Sequence, residues 1–474
     1  MSPGKRVRVS DVVRRRRTPR LDAVSVLALV IPLVTVGVLT LVQKPPVHDD
    51  SRAPSLTKLT SATLVCPAPR TTAPIGWVAT ASGVSGDVTV GAGDARSTVP
   101  LSPGAVTPVH GIGPAVVRGD DELAPGLLGL RFGTSPLTAQ ACSAPFPEQW
   151  FAGVGAGPTH DSVIELVNPD SGPADVDVTL YGNRAFTRRQ LHGITIPAHR
   201  TVRLDLGRIA PKQHVLTAQV QVTRGRLAVH VLDSRTDLLT HKVVREWLPR
   251  QAAPALDLQL LGLPTGPGRR TLQVANPGDD VARVEVKIVT GDTTFAPESL
   301  NTITVRPGST RTVPLTKVLS KALGDGAVGI QVTADVPVVA SVLTEQEGDQ
   351  VVTVPDEVVR TEAATLLPVT SGKPEGRSGT PVTATLYMSA DSAGAATITA
   401  YDASGNALPD QRVGLQQGHT ETVKLPQRTA YIHVEPERTV IRAAVMLSGD
   451  GASVIPLPEL LTEGLVPHIR PGVG

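Results

Sequence analysis

Aromatic residues are scarce in this 474-residue chain. Phe, Trp and Tyr make up 3%, with only three Trp, and there are three Met and two Cys. A core built on large rings is therefore excluded, and burial must come from Val, Leu, Ile and Ala. Two cysteines exclude a disulfide-dense miniature scaffold, and neither has a second Cys or a His at the spacing of a structural zinc site. No strong charge of one sign exists either: the net charge is +2. Eight basic residues and Asp11 give the first 20 residues +7, and Asp22 takes one back. The remainder from Ala23 onward therefore carries −4. A mildly acidic body of this kind offers no electrostatic case for nucleic acid.

What is present begins with the N-terminus. Ala23 to Val42 is a run of 20 uncharged, mostly apolar residues preceded by Lys5, Arg6, Arg8, Arg14–Arg17 and Arg20. At about 1.5 Å per residue such a helix matches a hydrocarbon core roughly 30 Å thick. The basic flank predicts a cytoplasmic N-terminus, a membrane-spanning helix over 21–42, and everything beyond outside. The competing reading, a cleaved signal peptide, has the same charge order. However, the run is long for one, and LTLVQKPPV lacks a small-residue cleavage site. A Pro-rich stalk follows over 43–59. In an oxidising compartment Cys66 and Cys142 are expected to pair.

Composition beyond the stalk points to β structure. There are 44 Gly and 42 Pro, many Val and Thr, and few helical stretches. One internal pattern recurs. IELVNPDSGPADVDVTLYG starts at Ile164 and TLQVANPGDDVARVEVKIVTG at Thr271, so Asn168-Pro169 and Asn276-Pro277 mark the same turn 108 residues apart. Val176, Val178 and Leu180 then alternate with polar residues, as do Val284, Val286 and Ile288. Period 2 puts each apolar set on one face of a strand. Later blocks keep nearly the same offset: Gln221-Val222-Thr223 matches Gln331-Val332-Thr333. Weaker copies start near Leu386 and between Gly86 and Gly133. Units of about 100 residues with many short strands read as immunoglobulin-like sandwiches. The predicted fold is all-β: a transmembrane helix followed by tandem immunoglobulin-like β-sandwich repeats over 60–141, 142–248, 249–362 and 363–463, with a tail over 464–474. A four-bladed β-propeller is the rival. It is set aside because a blade needs only about 40 to 50 residues.

Leu64-Val65-Cys66-Pro67, the segment Gln149–Gly155 (QWFAGVG), and the turn after each Asn-Pro carry a resemblance over most of the chain. Together they resemble an actinobacterial family of single-pass, membrane-anchored extracytoplasmic proteins of unknown function. That resemblance implies an envelope protein without assigned activity. Its genes often lie near envelope-polysaccharide glycosyltransferases, which points to envelope proteins or polysaccharide as partners, a membrane glycosyltransferase among them. No catalytic residues come with it.

A search for chemistry finds little. Ser55-Leu56-Thr57-Lys58 fits S-x-x-K but sits in the stalk, and no K-T-G follows. Arg118-Gly119-Asp120 spells an adhesion tripeptide that polar loops produce by accident. His192, His199, His230 and His241 are scattered and lack zinc-site spacing. Asp120–Glu122 and Asp279-Asp280 lack calcium-loop spacing. No cofactor, metal or catalytic residue is assigned, and an enzyme is not expected. Trp77, Trp150 and Trp247 lie near unit junctions. They are either seam packing or a stacking platform for carbohydrate or a partner. The leading expectation is a tethered β-rod that scaffolds or binds an envelope partner. The alternative is an accessory of envelope-polysaccharide synthesis or processing with a site between domains.

Overall fold

The computed structural model describes residues 27, 28, 30–35 and 55–466, apart from 70–74, 92, 94, 110–112, 135, 184–187, 239, 347 and 369–380. Among these, no helix is long and apolar enough to cross a membrane. Of the run Ala23–Val42, residues 27, 28 and 30–35 are helical. The rest of it, the basic tail, most of the stalk and residues 467–474 lie outside the described residues. One compact unit extends from Thr57 to Gly464.

The local reading of the strands carries over into that unit. Along Ala282–Thr290, Val284, Val286 and Ile288 are buried while Arg283 and Glu285 are exposed. Along Ala174–Tyr181, Val176, Val178 and Leu180 are buried between less buried Asp175 and Asp177. The two Asn-Pro turns share one device. Asn168 is buried and its Nδ2 donates to the carbonyls of Gly172 (2.8 Å) and Ile196 (3.0 Å), while its Oδ1 accepts from Asp170 N (3.0 Å). Asn276 repeats this with Asp280 O (2.6 Å), Val305 O (3.2 Å) and Gly278 N (3.0 Å). A side-chain amide that holds its own turn and a neighbouring strand explains why Asn recurs there. The facing turns match as well. His199 (φ 55°) and Gly308 (φ 59°) both take the left-handed conformation and donate their N–H groups to Asp170 O and Gly278 O.

The arrangement of the units overturns the expected tandem immunoglobulin-like rod. The chain folds as a four-bladed, propeller-like β-ring. Each quarter ends in a hairpin whose last strand goes to the centre: Leu137–Ala141, Val243–Leu248, Asp349–Thr353 and Gly451–Pro456. Those four strands pack on one another in cyclic order. Each seam also has its own hydrogen bonds. Thr138 donates to the Glu246 carboxylate. Gln350 Nε2 donates to the Asp233 carbonyl at 3.4 Å. Ala452 N donates to Asp349 Oδ2 at 2.8 Å. Ser453 Oγ accepts from Ala139 N at 3.1 Å and donates to Ala139 O, which closes the ring. The blade-length argument failed because these quarters are larger than ordinary blades. The second and third each build an eight-stranded sheet; the first and fourth each build two smaller sheets. In the third, one strand of 20 residues, Ala327–Gln346, serves both halves.

Five apolar clusters cross the seams, while the core that holds Val286 lies within the third quarter and adjoins them. Leu130, Phe132 and Leu137 of the first quarter pack into the core of the fourth. Leu343, Val352 and Val354 of the third pack into the core of the second. Cys66 and Cys142 form a disulfide, 76 residues apart, that ties the entry of the first quarter to its exit. In the chain-entropy account a loop of that size stabilises by roughly 4 to 5 kcal/mol.

Shared cores dictate how the ring fails. Val286→Asp places a lone carboxylate in a dry core and should cost more than about 4 kcal/mol. Limited proteolysis of this variant should show all four quarters becoming sensitive together. Survival of a resistant second quarter would contradict the shared cores. Mass spectrometry of unreduced protein should recover the Cys66 and Cys142 peptides as one linked species.

Candidate functional site

After its last strand each quarter crosses to the next through a proline-bearing segment. The segments are Cys142–Pro147, Pro249–Pro254, Val354–Val358 and Pro456–Leu460. They converge at one end of the ring and enclose a funnel of about 760 Å³. In three quarters an acid directly follows proline: Pro147-Glu148, Pro355-Asp356 and Pro458-Glu459. The second quarter has Pro249-Arg250-Gln251 instead.

The charged groups of the funnel wall are held in pairs. Arg250 Nη2 reaches Glu357 Oε1 at 2.5 Å, and its guanidinium lies 4.0 Å from the Phe146 ring centroid. Glu459 Oε1 accepts from Arg360 N (3.0 Å), Thr361 N (2.9 Å) and Thr361 Oγ1 (2.9 Å). Asp257 Oδ1 accepts from Gln331 Nε2 at 2.8 Å. Arg442 pairs with Asp391 at 2.5 Å and Arg226 with Asp170 at 2.7 Å.

Asp356 is different. It is 7% exposed, Oδ2 accepts from Leu261 N at 2.9 Å, and Oδ1 is buried without a partner. Burial pushes its carboxyl well above the ordinary range. The Leu261 N–H and the charge of Arg442 oppose this without prevailing. Burial of this kind favours the protonated carboxyl, which has an O–H to give.

A second concavity, a groove of about 510 Å³, lies where the second and third quarters meet. Trp150 and Tyr181 line it, and both are 2% exposed. Their rings stack at 5.6 Å, and Glu148 Oε1 accepts from Trp150 Nε1 (3.0 Å) and Gln219 Nε2 (2.7 Å). The faces of both rings are thus used inside the seam. Trp247 is buried on its central strand, and Trp77 is half-buried edge-on to Phe132 at 4.8 Å. None of the three tryptophans lines the funnel.

Two histidines sit in buried seams. His230 Nε2 faces Val65 O at 3.0 Å, and burial lowers its pKa to about 4; Glu165 opposes this and Arg131 adds to it. The imidazole is therefore neutral and donates to that carbonyl. His160, Ser162 and Asp233 come together, with His160 Nε2 and Ser162 Oγ 2.8 and 2.5 Å from Asp233 Oδ1. The set resembles a nucleophile–base–acid trio in composition only. Ser162 bonds the carboxylate rather than the imidazole, accepts from Gly155 N at 2.8 Å, and is fully buried. Burial alone would raise the Asp233 carboxyl, but His160, Arg235 and Ser162 hold it below its usual value.

Among the described residues one group, Glu362, His433 and Glu435, gathers enough ligand atoms for a metal. The carboxylates approach different ring nitrogens, Glu362 at Nε2 (2.8 Å) and Glu435 at Nδ1 (3.2 Å), so they do not converge on one point. Ser55–Lys58 is a strand rather than a helix, which removes the one-turn spacing that S-x-x-K chemistry needs. Arg118 of the adhesion tripeptide faces Asp170 at 3.4 Å. Sequence reasoning passed over the funnel residues Phe146, Arg250, Asp356 and Glu459. The available signal was the proline–acid pair that recurs after the last strand of three quarters.

Comparison with known protein families matches residues 133–426 to the Family of unknown function (DUF5719). No curated protein matches the chain.

Two pH effects follow. His230 has a depressed folded pKa, so its contribution is complete above about 6.5 and is lost as pH falls toward about 4. That loss is about 3 kcal/mol. Thermal melts of His230→Gln should show a shallower decline over this window than the parent. Asp356 has a raised folded pKa, so the parent loses stability as pH rises from the ordinary carboxylate range toward that higher value. Asp356→Asn keeps an acceptor for Leu261 N and should melt higher than the parent at neutral pH. An equal or lower melting temperature there would contradict the buried neutral acid.

Proposed function

The chain belongs to that family of unknown function, and we propose that it is a non-catalytic binding module whose central funnel receives a partner in the cell envelope. The observation that carries this reading is the convergence of all four crossovers on one concavity whose charged groups are already paired. Hydrolytic chemistry on a glycan needs two carboxylates left facing the substrate. Here Glu357 is bound to Arg250, Glu459 to backbone and hydroxyl donors, and Asp257 to Gln331. The walls instead supply prolines, alanines, one ring and hydroxyl and amide groups such as Thr63, Gln140 and Gln251, a surface suited to holding.

The disulfide supports a place outside the cytoplasm, where such bonds persist. An envelope protein is the partner class, a membrane glycosyltransferase among the candidates. The polysaccharide reading draws on the second groove, where Asp177, His192 and Gln221 line the wall. It is the weaker of the two, because the Trp150 and Tyr181 faces that would stack on sugar are stacked on each other.

A photo-crosslinking residue at Ala253, exposed on the funnel wall, should give a discrete adduct in living cells. The same residue at Glu285, on an exposed strand face, should not. Adducts at Glu285 with none at Ala253 would remove the funnel from consideration. A periplasm-type reporter fused after Gly474 should be active and a cytoplasmic one silent; the reverse would overturn the placement.

A further inference from the structure

We infer that the funnel takes an uncharged, extended polypeptide segment, with Asp356 donating a hydrogen bond to one of its carbonyl oxygens. This rests on the funnel being the binding site.

The charge pattern selects a neutral occupant. The Arg250–Glu357, Arg442–Asp391 and Arg226–Asp170 pairs engage three guanidinium groups, the exposed Arg360 faces Glu459 Oε2 at 4.0 Å, and Glu459 and Asp257 are also bound by other donors. A charged ligand would have to break one of these pairs at the expense of the partner left behind.

The wall chemistry separates a polypeptide from a sugar. Sugar sites present an open aromatic face, but the Phe146 ring lies under Arg250 at 4.0 Å. The rest of the wall sets prolines and alanines such as Pro249, Ala253, Pro355 and Pro458 beside hydroxyl and amide groups such as Thr63 and Gln251, which suit a peptide backbone as well as its apolar side chains. An extended chain also finds a template. Strand Ala363–Leu366 is the edge strand of its sheet, and its residues 364–366 line the funnel. The chain itself already begins an addition at that edge. Glu459 bridges Ala363, and Leu460 N donates to Glu362 O at 2.8 Å. A second extended segment can continue the pairing.

Asp356 supplies the directional contact. Its Oδ2 is occupied by Leu261 N–H, which leaves the proton to the unpartnered Oδ1. Peptide carbonyls are acceptors, so the acid completes its hydrogen bonding when the side chain, 7% exposed at the wall, turns its buried Oδ1 toward the entering segment. Burial raises its pKa well above the ordinary carboxylate range and so favours the protonated acid, with Arg442 as the opposing charge and the Arg250–Glu357 pair, Arg360, Glu459 and Asp257 on the same wall.

The test is binding by the full chain to three probe sets: uncharged Ala-, Pro- and Val-rich peptides, charged peptides, and neutral oligosaccharides. Uncharged peptides should bind the parent, and Ala253→Trp, which puts a large ring on the funnel wall, should weaken that binding at least about tenfold. Asp356→Leu should weaken it roughly tenfold, the equivalent of one hydrogen bond. Asp356→Asn, which keeps both an acceptor and a donor, should bind like the parent at neutral pH and stay constant as pH rises, while the parent weakens. That pH comparison holds even if Asp356→Leu fails to fold. Parallel pH profiles for parent and Asp356→Asn would overturn the role of Asp356. Selection of charged peptides or sugars, weakened by Ala253→Trp, would overturn the polypeptide assignment and leave the funnel as the site. Binding indifferent to Ala253→Trp would overturn the funnel itself. Absence of binding across all three sets would overturn the inference.

Discussion

The structure depends on one constraint: four central strands must satisfy one another. Each is the last strand of its quarter, and each brings polar atoms into a region that water does not reach. Thr138, Glu246, Asp349, Gln350 and Ser453 are all buried. An unpaired buried polar group costs about 1 to 3 kcal/mol, so each central strand needs its neighbour in place. The seam between Ala139 and Ser453 makes the requirement cyclic. From that closure follow the shared cores, the convergence of the crossovers and the funnel they enclose.

The seams carry charge as well as hydrogen bonds. Glu165 of the second quarter accepts from Ala68 N of the first at 3.1 Å and from Arg203 Nε at 2.9 Å. Arg235 contacts both Asp233 and Glu345, and so ties the second quarter to the third. Groups of this kind add little net stability, since desolvation offsets much of their attraction. Their effect is on the wrong arrangements. A quarter docked out of register would break the Arg235–Glu345 contact or leave Ala68 N–H without the Glu165 carboxylate.

Much of the local structure was legible in the sequence. The alternation around Val178 and Val286 revealed strand faces because period 2 is a local property. The two Asn-Pro turns revealed the repeat, and the isolated pair of cysteines revealed the disulfide. Closure was not legible. Thr138 and Glu246 are 108 residues apart, Ala139 and Ser453 314, and no local pattern announces either contact. Unit length misled further, since quarters of about 100 residues resemble self-sufficient domains and here they are not. The funnel was half visible. Pro355-Asp356 and Pro458-Glu459 recur after final strands, yet an acid beside proline reads as a solvated turn until the crossovers are seen to meet. Burial of Asp356 is a tertiary fact. The tryptophans announced themselves by rarity, which marks large buried rings as readily as binding platforms.

The contact between Ala139 and Ser453 has a consequence for how the molecule is made. At about 5 to 20 residues per second, the 314 residues between them take roughly 15 to 60 s to emerge from a ribosome. Throughout that interval Leu130, Phe132 and Leu137 have no fourth quarter to pack against. The nascent chain therefore passes through a long period as an open arc with an adhesive end, and its yield depends on whatever shields that end until the last hairpin arrives.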